Sequence, residues 1–111
     1  MMKAFAQTLD LKDDPELIRS YRAHHEAVWP EVTAALRAIG IETMRIFLVR
    51  TRLFMYVEAR DDFDPQRDFQ NYARDARSAE WDALMRTFQM PLGEEGWWTS
   101  MEQVFDLAEQ P

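Results

Sequence analysis

Two Asp-Pro pairs, Asp14-Pro15 and Asp64-Pro65, divide this 111-residue chain into two similar halves. Each is a strong helix start. The aspartate can cap free backbone N–H groups, and proline is pre-set for the first helical position, where its missing donor is not needed. An alternating stretch, Lys3 to Leu11, precedes the first pair and reads as a strand. The helix that follows runs to about Ile39 and stops at Gly40, a natural C-terminal glycine. Glu42 to Arg50 and Leu53 to Ala59 are rich in β-branched and aromatic residues, with Arg50-Thr51-Arg52 as the turn of a hairpin. After Asp64-Pro65 the pattern is helical again, in one piece or two, through roughly Met90. Its apolar side carries Phe69, Tyr72, Ala76, Trp81, Leu84, Met85 and Phe88. A loop, Pro91 to Gly96, leads to a last strand at about Thr99 to Leu107. The order β-α-β-β-α-β fits an α+β fold of the ferredoxin-like, split β-α-β kind: a four-stranded antiparallel sheet with two helices on one face. The whole chain, residues 1–111, reads as a single domain.

Both faces of the strands are apolar. On the second strand Phe47 and Val49 share one face, while Met44, Ile46 and Leu48 share the other. The third strand sets Met55 and Val57 against Phe54 and Tyr56. Two helices cover one face, and a second copy of the chain is the simplest cover for the other. A homodimer with facing sheets is expected. Periodicity alone does not say which set meets the partner.

The segment from Tyr21 to Val32 holds both histidines. An apolar stripe at helical spacing runs Ile18, Tyr21, His25, Val28/Trp29, Val32, Leu36, Ile39. His25 lies in that stripe and His24 off it. Tyr21 and His25, four apart, should sit side by side. A lone inward histidine is most often a core residue with one satisfied hydrogen bond. The sharper reading is a general acid/base, because imidazole titrates nearest neutral pH. Pro30 either kinks the helix or opens a new one after Trp29, and either way the chain bends beside His25.

A formal net charge of −7 argues against phosphate-backbone and anionic-membrane partners. It suits a small neutral ligand. The chain has no cysteine, hence no disulfide, thiolate zinc site or cysteine nucleophile. Adjacent histidines point about 100° apart on a helix and do not readily share a metal. Three isolated glycines make no phosphate loop. A cofactor-free and metal-free reaction is what remains. With no basic region before a long apolar run, a soluble cytoplasmic protein is the expectation.

Nearly the whole chain resembles the L-rhamnose mutarotases, small dimeric α/β-barrel enzymes that interconvert sugar anomers. The most specific piece is Tyr21-x-x-x-His25-x-x-x-Trp29-Pro30-Glu31. Leu53-Phe54-Met55-x-Val57-Glu58, Glu80-Trp81-x-x-x-Met85 and Met101-Glu102-x-Val104-Phe105-x-Leu107 follow in the right order. The resemblance implies that His25 is the catalytic proton donor, that Tyr21 is its neighbour in the sugar site, and that Trp81 lines that site. Trp98 and Trp29 are further substrate-binding candidates. There are departures from the pattern. Asp82 follows Trp81 where the family has paired tryptophans, and Thr43-Met44 and Phe47 replace Asn-Tyr and a tyrosine. Trp97-Trp98 are positioned to compensate.

The implied chemistry suits the residues. Anomer exchange removes a proton from the anomeric hydroxyl and delivers one to the ring oxygen, which takes acid and base groups but no cofactor. Tyr21, with an ordinary pKa near 10, reads as a hydrogen-bonding or relay partner. Tryptophan faces match the apolar C–H face of a 6-deoxy sugar. Each tryptophan also has a plain core-packing reading. Glu31 and Glu58 read as solvated or structural, and Met55 and Met85 as core filler. Three alternatives stay open: an L-fucose mutarotase, a cofactor-free monooxygenase or isomerase of the same barrel architecture, and a non-catalytic binding domain.

Overall fold

The computed structural model describes residues 2–93 and 97–111. Its elements are β1 (Met2–Leu11), α1 (Pro15–Glu26), α2 (Pro30–Ala38), β2 (Ile41–Val49), β3 (Arg52–Arg60), α3 (Pro65–Ala73), α4 (Ala76–Arg86), β4 (Gln89–Met90) and β5 (Thr99–Met101). Both Asp-Pro starts form as expected. The Asp14 carboxylate accepts from the Glu16 and Leu17 N–H groups at 2.9 and 3.4 Å. Asp64 accepts from Gln66 N–H at 3.0 Å. Each expected helix is two. The first breaks at Ala27, and Pro30 opens α2 at its first position with Trp29 as cap. The second breaks before Ala76, where Asp75 caps α4 by accepting from the N–H and hydroxyl of Ser78.

The sheet is antiparallel, in the order β2-β3-β1, with β4 and β5 sharing the far edge of β1. β1 and β3 pair along their length, Gln7 opposite Met55 and Leu9 opposite Leu53. Ile46 pairs with Met55 and Phe47 with Phe54. This register places Leu9, Leu11, Leu53, Met55 and Val57 on one face. There they are buried under the helices in a core with Tyr21, Val32, Trp81, Met85 and Phe88. The opposite face carries Phe47, Val49 and Phe54, which remain 56, 65 and 36 % exposed. Phe47 and Phe54 pack together there with ring centroids 6.0 Å apart. The helix-covered set is therefore Met44, Ile46, Leu48, Met55 and Val57, and the open set is Phe47, Val49, Phe54 and Tyr56.

Gly40, between α2 and β2, has φ +108°, and a Cβ there would come within 2.7 Å of the Arg60 guanidinium. The φ is what demands glycine; the Arg60 side chain is flexible and would move aside.

The fourth strand differs from expectation. Its position is divided between Gln89–Met90, opposite Leu11 and Asp10, and Thr99–Met101, opposite Thr8 to Ala6. Gln89 and Met90, expected at the helix end, are thus strand. Beyond Met101 the chain leaves β1, and Leu107–Glu109 form a turn of 3-10 helix. Val104, Phe105 and Leu107 are exposed. A segment rich in apolar residues reports that side chains seek cover, not that the cover lies in the same chain. The expected loop Pro91 to Gly96 includes residues 94–96, which lie outside the described residues.

Candidate active site

Between the helices and the inner face of the sheet lies an open cavity of about 940 Å³. That is at the upper end of the roughly 300–1,000 Å³ of small-molecule sites. Tyr21 and His25 enter it from α1, Tyr72 from α3, and Trp81 and Asp82 from α4. Gln7 comes from β1, Thr43 and Met44 from β2, Gln89 from β4, and Trp97 and Trp98 from the segment before β5.

The Tyr21 and His25 rings lie 4.3 Å apart between centroids. His25 Nδ1 is 2.9 Å from the Tyr21 backbone carbonyl, one helical turn back. A carbonyl can only accept, so Nδ1 carries the proton. In the neutral ring, Nε2 is then left with a free lone pair. Burial lowers the His25 pKa from 6.5, more than the hydrogen bond to that carbonyl raises it, and the neighbouring His24 lowers it further. The group at the cavity wall is therefore a neutral imidazole, poised as a proton acceptor. Burial pushes the Tyr21 hydroxyl up to about 12, and the Gln89 side chain opposes the rise. Tyr21 keeps its proton throughout the neutral range.

Trp81 is 5 % exposed and stands edge-on to His25, with centroids 5.6 Å apart. Trp29 does not line the cavity. It packs edge-on against the other side of Trp81 at 5.1 Å, and the Arg77 guanidinium lies 3.8 Å over its ring. Trp29 thus holds Trp81 in place. Trp98 lines the cavity, and so does Trp97, whose indole N–H donates to Gln89 Oε1 at 2.6 Å. Phe47 points to the open sheet face, away from the cavity, whereas Thr43 and Met44 reach it.

His24 differs in part from the sequence reading. It does not line the cavity, but it is only half-exposed, packed against Phe88 at 5.6 Å and Trp81 at 6.2 Å. Its Nδ1 bonds the Ser20 carbonyl at 2.7 Å. The break after Glu26 lets α4 lie against the end of α1, so that both histidines meet Trp81.

Asp82 takes a hydrogen bond from the Tyr72 hydroxyl at 3.2 Å. Burial raises the Asp82 pKa, and the Tyr72 bond opposes the rise. The Tyr72 pKa is likewise raised, first by burial and then by the Asp82 charge. The position that breaks the tryptophan pair thus puts a carboxylate into the cavity wall. Sequence reasoning missed Gln7 and Gln89, which are 8 and 5 % exposed. Gln7 left a signal: it is the one polar residue in the inward phase Phe5, Gln7, Leu9, Leu11. Gln89 left none, lying just past a helix end.

Among the described residues no group of three or more histidine, aspartate or glutamate side chains is placed to hold a metal ion. No helix among them is long and apolar enough to cross a membrane.

The sequence profile described as L-rhamnose mutarotase matches residues 4–107. The chain belongs to that family. A UPF0734 protein of Dictyostelium discoideum is 51 % identical over 95 % of this chain and 90 % of its own length. An L-fucose mutarotase of Xanthomonas campestris is 37 % identical over 97 % of this chain and 90 % of its own. Among solved structures, the L-rhamnose mutarotase of Formosa agariphila superposes with a TM-score of 0.71 at 18 % identity, covering 95 % of this chain and 98 % of that one. The tetracenomycin F2 cyclase of Streptomyces glaucescens superposes at 0.59 and 18 % identity, over 94 and 97 %. At such identities these two show the shared fold alone. The ferredoxin-like α+β architecture is thereby established, and the chain is a sugar-isomerase family member.

Proposed function

We propose that this mutarotase-family enzyme exchanges the α and β anomers of a 6-deoxy sugar, L-rhamnose or L-fucose, in the cavity below the sheet. The observation that carries the reading is His25: one ring nitrogen fixed on the Tyr21 carbonyl, the other free, on a side chain that lines an open cavity large enough to admit a sugar. Such a group takes the proton of the anomeric hydroxyl as the ring opens. After rotation about the C1–C2 bond it returns that proton to the carbonyl oxygen as the ring closes. The proton-donor role implied by the family resemblance is thus the second half of a cycle in which His25 first accepts. Trp81 and Trp98 supply apolar faces for the sugar's C–H groups, and Asp82 and Tyr72 offer polar groups for its hydroxyls. Within the substrate class, the 37 % identical L-fucose mutarotase favours L-fucose.

The open sheet face supports a homodimer. Phe47, Val49, Phe54 and Met101 are large apolar side chains exposed on that side, and facing sheets would complete a dimeric α/β barrel. A chain free of cysteine suits the reducing cytoplasm, and the proposal places it there.

The test is polarimetry of freshly dissolved single anomers of L-rhamnose and L-fucose, with D-glucose for comparison. Acceleration of one or both 6-deoxy sugars, in proportion to enzyme, is expected. No acceleration of any of them overturns the reading.

A further inference from the structure

A buried glutamine needs partners for its carbonyl oxygen and its NH₂ group, because each buried polar group left unmatched costs stability. Five polar or charged residues among those described are at most 8 % exposed: Gln7, Thr8, Asp68, Ser78 and Gln89. Four of them have side-chain partners. Thr8 donates to the Leu53 carbonyl at 2.6 Å, Asp68 accepts from Arg67 and from the Asp64 N–H, Ser78 donates to Asp75, and Gln89 accepts from Trp97. The Gln7 side chain has no hydrogen-bond partner among the described residues. No side-chain polar atom sealed from solvent lacks a partner, so the Gln7 amide is not sealed: it opens to the cavity that the residue lines. Its place in the sheet fixes that direction. β1 is flanked at Gln7 by Met55 of β3 and Ser100 of β5. The register that buries Leu9 and Leu11 puts Gln7 on the same face.

We propose that Gln7 is a specificity-determining residue whose amide binds two adjacent ring hydroxyls of the sugar away from C1, its oxygen accepting from one and its NH₂ group donating to the other. This rests on the mutarotase reading and names the part of the substrate that the sheet reads. His25 enters the cavity from the helix layer and Gln7 from the sheet. A sugar held with its anomeric hydroxyl at His25 therefore turns other hydroxyls toward β1. An amide carries an acceptor and a donor side by side in one plane. Neighbouring hydroxyls in a gauche relation, as at C2 and C3 or at C3 and C4 of L-rhamnose and L-fucose, present the matching pair. A 6-deoxy sugar has no hydroxyl at C6, so these ring hydroxyls are its main polar handles. An analogue lacking one of the pair leaves half the amide unmatched, which is how a polar site rejects it.

The test compares the parent with Gln7→Met, which keeps the length and packing of the side chain without its amide. Anomer exchange is measured on the sugar the parent accepts and on its 2-, 3- and 4-deoxy derivatives, with a thermal melt of each protein. For the intact sugar KM should rise at least about tenfold, at about two- to tenfold for each lost hydrogen bond. Because those bonds are made equally before and during ring opening, kcat should stay within about threefold. The parent should disfavour at least one deoxy sugar by about tenfold in kcat/KM, and Gln7→Met should not disfavour that one. The melting temperature should hold or rise, since an unmatched amide gives way to an apolar chain. An unchanged KM in Gln7→Met, or an equal rise for all four sugars, overturns the proposal. The parent supplies an arm that needs no variant: equal kcat/KM for the intact sugar and all three derivatives also overturns it. If the parent exchanges no sugar at all, the mutarotase reading falls and the proposal with it, an outcome distinct from an active parent indifferent to residue 7.

Discussion

Replacing His25 by asparagine separates chemistry from packing. The asparagine amide can still donate toward the Tyr21 carbonyl that His25 Nδ1 holds at 2.9 Å, but it offers no basic nitrogen at the cavity wall. General acid/base groups contribute about 10²–10⁴ in rate, or about 2.7–5.4 kcal/mol on the barrier. Exchange should fall by that factor. The fold loses only the ring contacts with Tyr21 and Trp81, at 4.3 and 5.6 Å. At about 0.5–1.5 kcal/mol per aromatic pair, that is about 1–3 kcal/mol. A domain of about 5 kcal/mol stability losing 3 would still be more than about 95 % folded. Unfolding thus accounts for a few per cent of lost activity, not for two orders of magnitude. Circular dichroism melts and magnetisation transfer at the anomeric protons, run on one sample, measure both quantities. A folded His25→Asn protein within about threefold of parental activity would refute the reasoning.

Five further outcomes rest on the same geometry. His24→Ala, which removes contacts with Phe88 and Trp81 but nothing that lines the cavity, should lower the melting temperature by several degrees and leave kcat within about twofold; an inactive, folded variant would contradict this. The activity profile should show one acid limb with its midpoint below 6.5, because the lowered His25 pKa keeps the ring neutral down to that range, and no alkaline loss until Tyr21 ionises near 12. The same lowered pKa means that the unfolded chain takes up the proton first, so His25's share of stability is lost as pH falls through 6.5 and levels off below the folded value; denaturant midpoints against pH, parent minus His25→Asn, show the sign. Phe54→Lys on the open sheet face should shift a dimer toward monomer in sedimentation at micromolar concentration, and a parent that sediments as a fully active monomer would contradict the assembly. Exchange should persist after exhaustive treatment with EDTA, since the proposed steps use only side-chain acids and bases; loss restored by added zinc or manganese would contradict them.

Much of the fold can be read from local chemistry. The Asp-Pro pairs name the helix starts because capping and proline's fixed φ act within a few residues. The hairpin and the two apolar faces follow from period-two alternation. Which face the helices take does not, since both are apolar; β1 decides it, by pairing Gln7 with Met55 and Leu9 with Leu53. The end of the chain misleads for a related reason: Val104, Phe105 and Leu107 read like strand residues but find no cover among the described residues. In the site, helical spacing alone puts Tyr21 beside His25, and Trp81 follows from the resemblance. The polar contacts around them are not legible. Gln89 meets Trp97 across a loop and Asp82 meets Tyr72 across the α3–α4 break, and no local pattern encodes either meeting.

The most direct measurement is saturation transfer between the anomeric protons of L-fucose and of L-rhamnose at equilibrium, with the parent chain and His25→Asn side by side. The account predicts exchange that rises linearly with parent concentration for at least one of the two sugars and returns to the buffer rate in the folded variant. Exchange at the buffer rate with the parent, or equal acceleration by both proteins, would contradict it.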